Sequence, residues 1–120
     1  MITADSHQSA VDLLTDTLTV GLPGVPVYPP PTPPTPVAGP GVLVAMPELV
    51  DGIRLNHGMA EYRCQLLVLA GDTSGGGLLD LLDRVSAALS DRGIRHSSSR
   101  SSYQPPNFPA PLPAQLLTLE

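Results

Sequence analysis

The segment of this sequence richest in groups that could do chemistry is Gly71-Asp72-Thr73-Ser74-Gly75-Gly76-Gly77, which stands just before an apolar stretch at helical spacing. A glycine-rich loop at a helix N-terminus points backbone N–H groups at whatever lies before it, and such loops cradle phosphate. A phosphate loop also needs a lysine and a Ser or Thr at its end. Here Leu78 and Leu79 follow Gly77, and the chain contains no lysine at all. The simpler reading is a strand-to-helix turn with an Asp or Ser as helix cap.

Other reactive types are scattered. Asp72-Thr73 starts like the Asp-Thr-Gly of aspartic proteases, but Ser74 interrupts it and no second aspartate has a matching motif. His7, His57 and His96 are far apart in sequence and form no H-x-x-x-H or Cys–His pattern, so metal-ligand spacing is missing. His57 and His96 could meet an aspartate in space, but no nucleophile motif accompanies them. Cys64 alternates with Tyr62 and Leu66 and reads as a buried, inert thiol. Without lysine there is no Schiff base and no Ser–Lys pair. The expectation is a protein that is not an enzyme and takes no cofactor and no metal.

The balance of charge argues the same way. Eleven acids against six bases leave a net charge of −5. Proteins that grip nucleic acid by its phosphates are normally basic, so Arg95 and Arg100 among serines are a weak nucleic-acid signal. A lone cysteine makes no internal disulfide, so the fold does not depend on an oxidising compartment. No basic region followed by an apolar run opens the chain, so no signal peptide is expected. The longest apolar run, Leu66 to Ala70, is far short of the roughly 18 residues of a membrane span. The length suits one domain, 1–120.

The elements that must position these residues follow from periodicity. Residues 5–19 read as a helix, with Asp5 and Gln8 as a capping pair, Ala10, Val11, Leu14 and Leu18 on one face, and Asp12 and Asp16 on the other. Gly21 and Pro23 stop it. Nine of the 18 residues from 23 to 40 are proline, so this stretch favours an extended, projecting loop. Its P-x-x-P spacings suit a proline-recognising domain, but a stiff loop is the simpler reading. Gly41 to Met46 reads as a strand, 47–58 as a connection with turns at Asp51-Gly52 and Asn56-His57-Gly58, and Met59 to Ala70 as the clearest strand. Residues 78–91 form a second helix with Leu78, Leu81, Leu82, Val85 and Leu89 in a stripe, ended by Gly93. The serine-rich stretch 94–103 fits an edge strand or a loop, 105–113 a proline-punctuated connection, and 114–119 a last strand. The expected fold is α+β, an antiparallel sheet of about four strands with two helices packed on it.

Several local patterns together resemble the tail terminator proteins of long-tailed, siphovirus-type bacteriophages, especially those of actinobacterial hosts. They are an N-terminal helix leading to Val25-Pro26-Val27-Tyr28-Pro29, a Met46-Pro47 step after a strand, the Glu61-Tyr62-Arg63-Cys64-Gln65-Leu66-Leu67-Val68-Leu69 strand followed by a break and the Leu78–Leu89 helix, and a Tyr103 region leading to Pro113-Ala114-Gln115-Leu116-Leu117-Thr118-Leu119. The pattern covers nearly the whole chain; the Pro29–Pro36 block is richer in proline than the family's. The resemblance implies a homohexameric ring in the virion neck, assembled in the host cytoplasm. The ring would sit on the last ring of tail tube protein, stop its polymerisation and meet the head–tail connector or head-completion protein. DNA would pass through the lumen without specific binding, and no membrane is involved.

Two other classes share the small size and the lack of a catalytic motif. One is a different neck component, such as a head-completion protein. The other is a regulatory binding module that works through the proline run. For the terminator reading, the residues expected at interfaces are those in polar or proline-rich segments outside the expected core: Arg54, Asn56, His57, Arg95, Arg100, Pro31 and Pro34.

Overall fold

Alternation of apolar and polar residues over 60–69 sets the middle of the fold. In the computed structural model, which describes residues 2–30, 40–54, 58–69, 77–103 and 112–120, this stretch is the central strand of the sheet. The side chains of residues 51–54, 103 and 112 lie outside the description. The elements in chain order are β1 (Ile2–Ala4), α1 (His7–Gly21), β2 (Val27–Tyr28), β3 (Gly41–Val44), β4 (Glu48–Arg54), β5 (Ala60–Leu69), α2 (Leu78–Asp91), β6 (His96–Tyr103) and β7 (Leu112–Leu119).

The fold is α+β with two helices, as expected, but the sheet has seven strands and is mixed. Its order is β2-β3-β5-β7-β6, with β1 and β4 also paired to β5. Only β2 and β3 run parallel; every other pair is antiparallel. Three strands escaped the sequence reading for separate reasons. β1 and β2 have three and two residues, too few to show a period. β4 was expected to be a connection because of its Asp51-Gly52 pair. Its pairing with β5 runs Glu48↔Arg63 and Leu49↔Tyr62, then shifts register before Arg54↔Ala60. The turn-forming pair thus sits in an irregularity within a strand and does not end it.

Both helices lie on one face of the sheet. Ala10, Leu14 and Leu18 of α1 and Leu78, Leu81, Val85 and Leu89 of α2 form one cluster with Tyr62, Cys64, Leu66 and Val68 of β5, Val42 and Val44 of β3, and Leu117 and Leu119 of β7. Burying one such large apolar side chain is worth about 1.5–3 kcal/mol, so this cluster is the main source of stability. Leu82, Val85 and Leu89 join Leu66 and Val68 there, with Leu82 only partly buried.

The helix ends differ in detail from expectation. α1 is capped by Ser6, whose Oγ accepts from the Ser9 N–H at 3.1 Å. Asp5 precedes the cap, and Gln8 donates from Nε2 to Asp12 Oδ1 at 2.9 Å, so the expected Asp5–Gln8 pair is not the cap. The span of α2 is 78–91, as the stripe requires, but its N-cap is Gly77 at φ 78°, with no side-chain cap bond. An Asp or Ser cap was expected; a left-handed glycine takes its place. Gly93, at φ 71°, follows the C-cap Arg92 and terminates the helix as expected.

Candidate interaction surface

The face of the sheet away from the helices is apolar at its centre. Period two puts Leu67 and Leu69 of β5 on the side opposite Leu66 and Val68. Leu69 and Ala114 are buried there, with Tyr28, Leu43 and Leu67 packed against them. The register carries the patch across the strands, since Leu43 stands opposite Leu67 and Leu67 opposite Leu116. Beside this cluster runs a groove of about 400 Å³ lined by Tyr28, Leu43, Met46, Leu67, Ser101 and Leu116, among others. Met46 is 64% exposed at its rim. Gly41 to Met46 was expected as one strand; β3 ends at Val44.

The sheet's two borders are unlike. β2 is two residues long and stands between Pro26 and Pro29, which have no N–H to offer a further strand. β6 is eight residues long and pairs in unbroken register with β7, from His96↔Leu119 to Tyr103↔Leu112. No described strand lies on its other side. The strand has no proline and no bulge, and Arg100 is its one Arg, Lys, Asp or Glu residue. Proteins usually guard an edge of this length with charge, proline, a bulge or a covering element. The stretch left open between strand and loop is therefore an edge strand, with its outward N–H and C=O groups available for pairing.

Two contacts hold this edge to the body. His96 Nε2 and Ser86 Oγ on α2 are 3.0 Å apart. The Glu120 N–H donates to the Arg95 carbonyl at 2.7 Å, extending the ladder one step. The His96–Ser86 pair has two members of a nucleophile–base arrangement. The other ring nitrogen, Nδ1, lies 3.4 Å from the Ile94 carbonyl oxygen rather than a carboxylate. Its immediate consequence is mechanical: it ties the edge strand to the helix layer.

Of the residues expected at interfaces, Arg95 and Arg100 are exposed, just before β6 and within it. Arg54 ends β4, with its side chain outside the description. Asn56, His57, Pro31 and Pro34 lie outside the described residues. The structure therefore places Arg95 and Arg100 along one border, five positions apart. The far-face groove was missed by the sequence reading. Its signal was the loss of polar alternation at Leu67 and Leu69; Leu69 is fully buried and Leu67 is half-buried against it.

Other chemistry is sparse among the described residues. No group of three or more His, Cys, Asp or Glu stands close enough to hold a metal ion. Cys64 is fully buried and its thiol is pushed up to about 11 by burial. The Tyr62 hydroxyl is buried without a hydrogen-bond partner, and its ring meets His7 edge-on with centroids 4.8 Å apart. One ion pair, Arg63–Glu48 at 3.9 Å, lies exposed on the far face, where such pairs are worth about 0–1 kcal/mol. No described helix is long and apolar enough to cross a membrane. Comparison of the chain with family models, with curated proteins and with solved structures gives no match.

Proposed function

We propose that this chain is a structural virion subunit that acts by assembly rather than by catalysis. It forms a ring, of six copies on the tail-terminator reading, on the head-proximal end of a phage tail tube. There it ends tube polymerisation and presents a face to the head–tail connector. The observation that carries this reading is the lopsided sheet. One face is filled by two helices, while the other keeps an apolar groove beside an eight-residue edge with no described strand on it. A subunit that must be covered by neighbours has this arrangement. The chain-wide pattern of Val25–Pro29, Met46-Pro47, Glu61–Leu69 and Pro113–Leu119 supplies the choice of tail terminator among ring-forming proteins. A net charge of −5 per copy suits a ring through which DNA passes without sticking.

The test is end-binding. Tail tubes assembled from the tube protein encoded beside this chain are incubated with the purified chain and viewed by negative-stain electron microscopy. A ring at one end of each tube, with further tube growth stopped at that end, is the expected result. Tubes that keep growing at both ends with no added density would refute the reading. A ring found instead on connector or portal complexes would favour a head-completion protein.

A further inference from the structure

We infer that neighbouring copies in the ring are joined by antiparallel pairing of β6 in one copy with β4 in the next, so that the sheets run together into one closed sheet. The inference rests on the ring reading and names its joint. Three observations on the backbone support it.

The first is which edges are free. Ala45 N–H donates to the Gln65 carbonyl at 3.0 Å, between the Val44↔Leu66 and Glu48↔Arg63 pairings. β3 and β4 therefore continue one another along the same side of β5, while β7 lies on the opposite side with β6 beyond it. β2 covers only β3. Among the described strands this leaves β4, seven residues long, and β6, eight residues long, as the long borders on opposite sides of the sheet with no further strand on them. Two different edges on opposite sides of one sheet are what a head-to-tail, closing contact requires.

The second is direction. β4 and β7 run antiparallel to β5, and β6 runs antiparallel to β7. β6 therefore points with β5, and β4 points against it. Rotation about a ring axis preserves the sense of each strand along that axis. β6 of one copy then meets β4 of the next antiparallel, the arrangement with perpendicular hydrogen bonds and the better stability per residue.

The third is stagger. β4 lies beside Ala60 to Arg63 of β5, whereas β6 is level with Cys64 to Leu69 through its pairing with β7. Joining the two borders across copies steps the register by several residues at every joint. A sheet closes on itself only with tilted strands and such an accumulated stagger. Summed over each strand, β4 holds two acids and one base and β6 one arginine and no acid, so the two borders differ in net charge.

Cysteine cross-linking tests the joint, because Cys64 is buried and leaves introduced cysteines as the reactive thiols. Leu49 pairs with Tyr62, so it stands on the helix side of the sheet, as do Ser98, Arg100 and Ser102 by their pairing with Leu117, Gln115 and Pro113 of β7. Leu49→Cys is combined in turn with Ser98→Cys, Arg100→Cys and Ser102→Cys, each pair is oxidised, and the products are run on a non-reducing gel. A disulfide needs Cα atoms within about 7 Å, so one register should give a ladder of covalent multimers ending at the ring size, with the single variants staying monomeric. A covalent dimer from a β6 cysteine alone would overturn the inference in favour of two-fold β6–β6 pairing. If the unmodified protein has the mass of a ring and no pair gives a ladder, the joint is wrong and the ring reading stands. If the unmodified protein stays monomeric both alone and on tail tubes, the ring reading fails and takes the joint with it. Arg100→Glu provides a second measurement. It should keep the circular dichroism of the parent while shifting the ring–monomer balance towards monomer; an unchanged balance would count against the joint.

Discussion

Ser86 on α2 and His96 at the start of β6 are hydrogen-bonded across 3.0 Å, and this bond anchors the edge strand to the helix layer. Among the described residues, β6 is further held by its ladder to β7 and by the Glu120 N–H bond to the Arg95 carbonyl just before it.

Ser86→Ala should lower stability by about 1 kcal/mol, the net worth of one such hydrogen bond. The loss should be local, with faster amide exchange at residues 96–99 and unchanged exchange in β5. Uniform acceleration across the sheet would show that the bond supports the whole core instead.

α1 and α2 pack closely where Gly21 meets Ala88. A Cβ placed on Gly21 would stand 2.5 Å from the Ala88 Cβ, which no real pair tolerates. Gly21→Ala gains at most about 1 kcal/mol of helix propensity and incurs an overpacking cost of about 1–3 kcal/mol, so the variant should be less stable. Adding Ala88→Gly should recover part of the loss, a favourable coupling in a double-mutant cycle measured by denaturant unfolding. A stabilised single variant would mean that the helices can part without cost.

Tyr62→Phe is expected to raise stability by roughly 1 kcal/mol. The hydroxyl is buried with no partner, and leaving such a group unpaired costs about 1–3 kcal/mol, while the ring's packing is unchanged. A loss of stability on urea unfolding would reveal a bond that the hydroxyl makes in solution.

Burial raises the Cys64 thiol from 9.0 to about 11. Up to pH 9 the thiol is protonated in both states and its contribution to stability is fully present. Between 9 and 11 the unfolded chain releases the proton and the folded chain holds it, so stability should fall as pH rises. The parent should lose more stability over that window than Cys64→Ala, and polar thiol reagents should label the folded parent slowly. Identical pH profiles would show that the thiol is not held from water.

Long periodic elements were readable from sequence. The stripe Leu78–Leu89 gave α2 its bounds, and the alternation Tyr62, Cys64, Leu66, Val68 gave β5 its inner face. Elements whose existence depends on a partner were not. β1 and β2 are too short to carry a period, and β4 exists because β5 offers it an edge despite Asp51-Gly52. β6 is the sharpest case, because five serines, one arginine and flanking His96 and Tyr103 would read equally as a loop; the ladder to β7 makes it a strand. The candidate surface was half legible. Arg95 and Arg100 were singled out for exposure, but the groove needs Leu43, Leu67 and Leu116 to meet across three strands, a relation that no local pattern contains.

Deleting the gene for this chain from the phage genome to which we assign it tests the central proposal most directly, with tail lengths and head attachment measured by electron microscopy. The account predicts headless tails of uncontrolled length beside filled, tailless heads, with both defects restored by supplying the chain in trans. Tails of normal length, accompanied by heads that leak DNA, would contradict it.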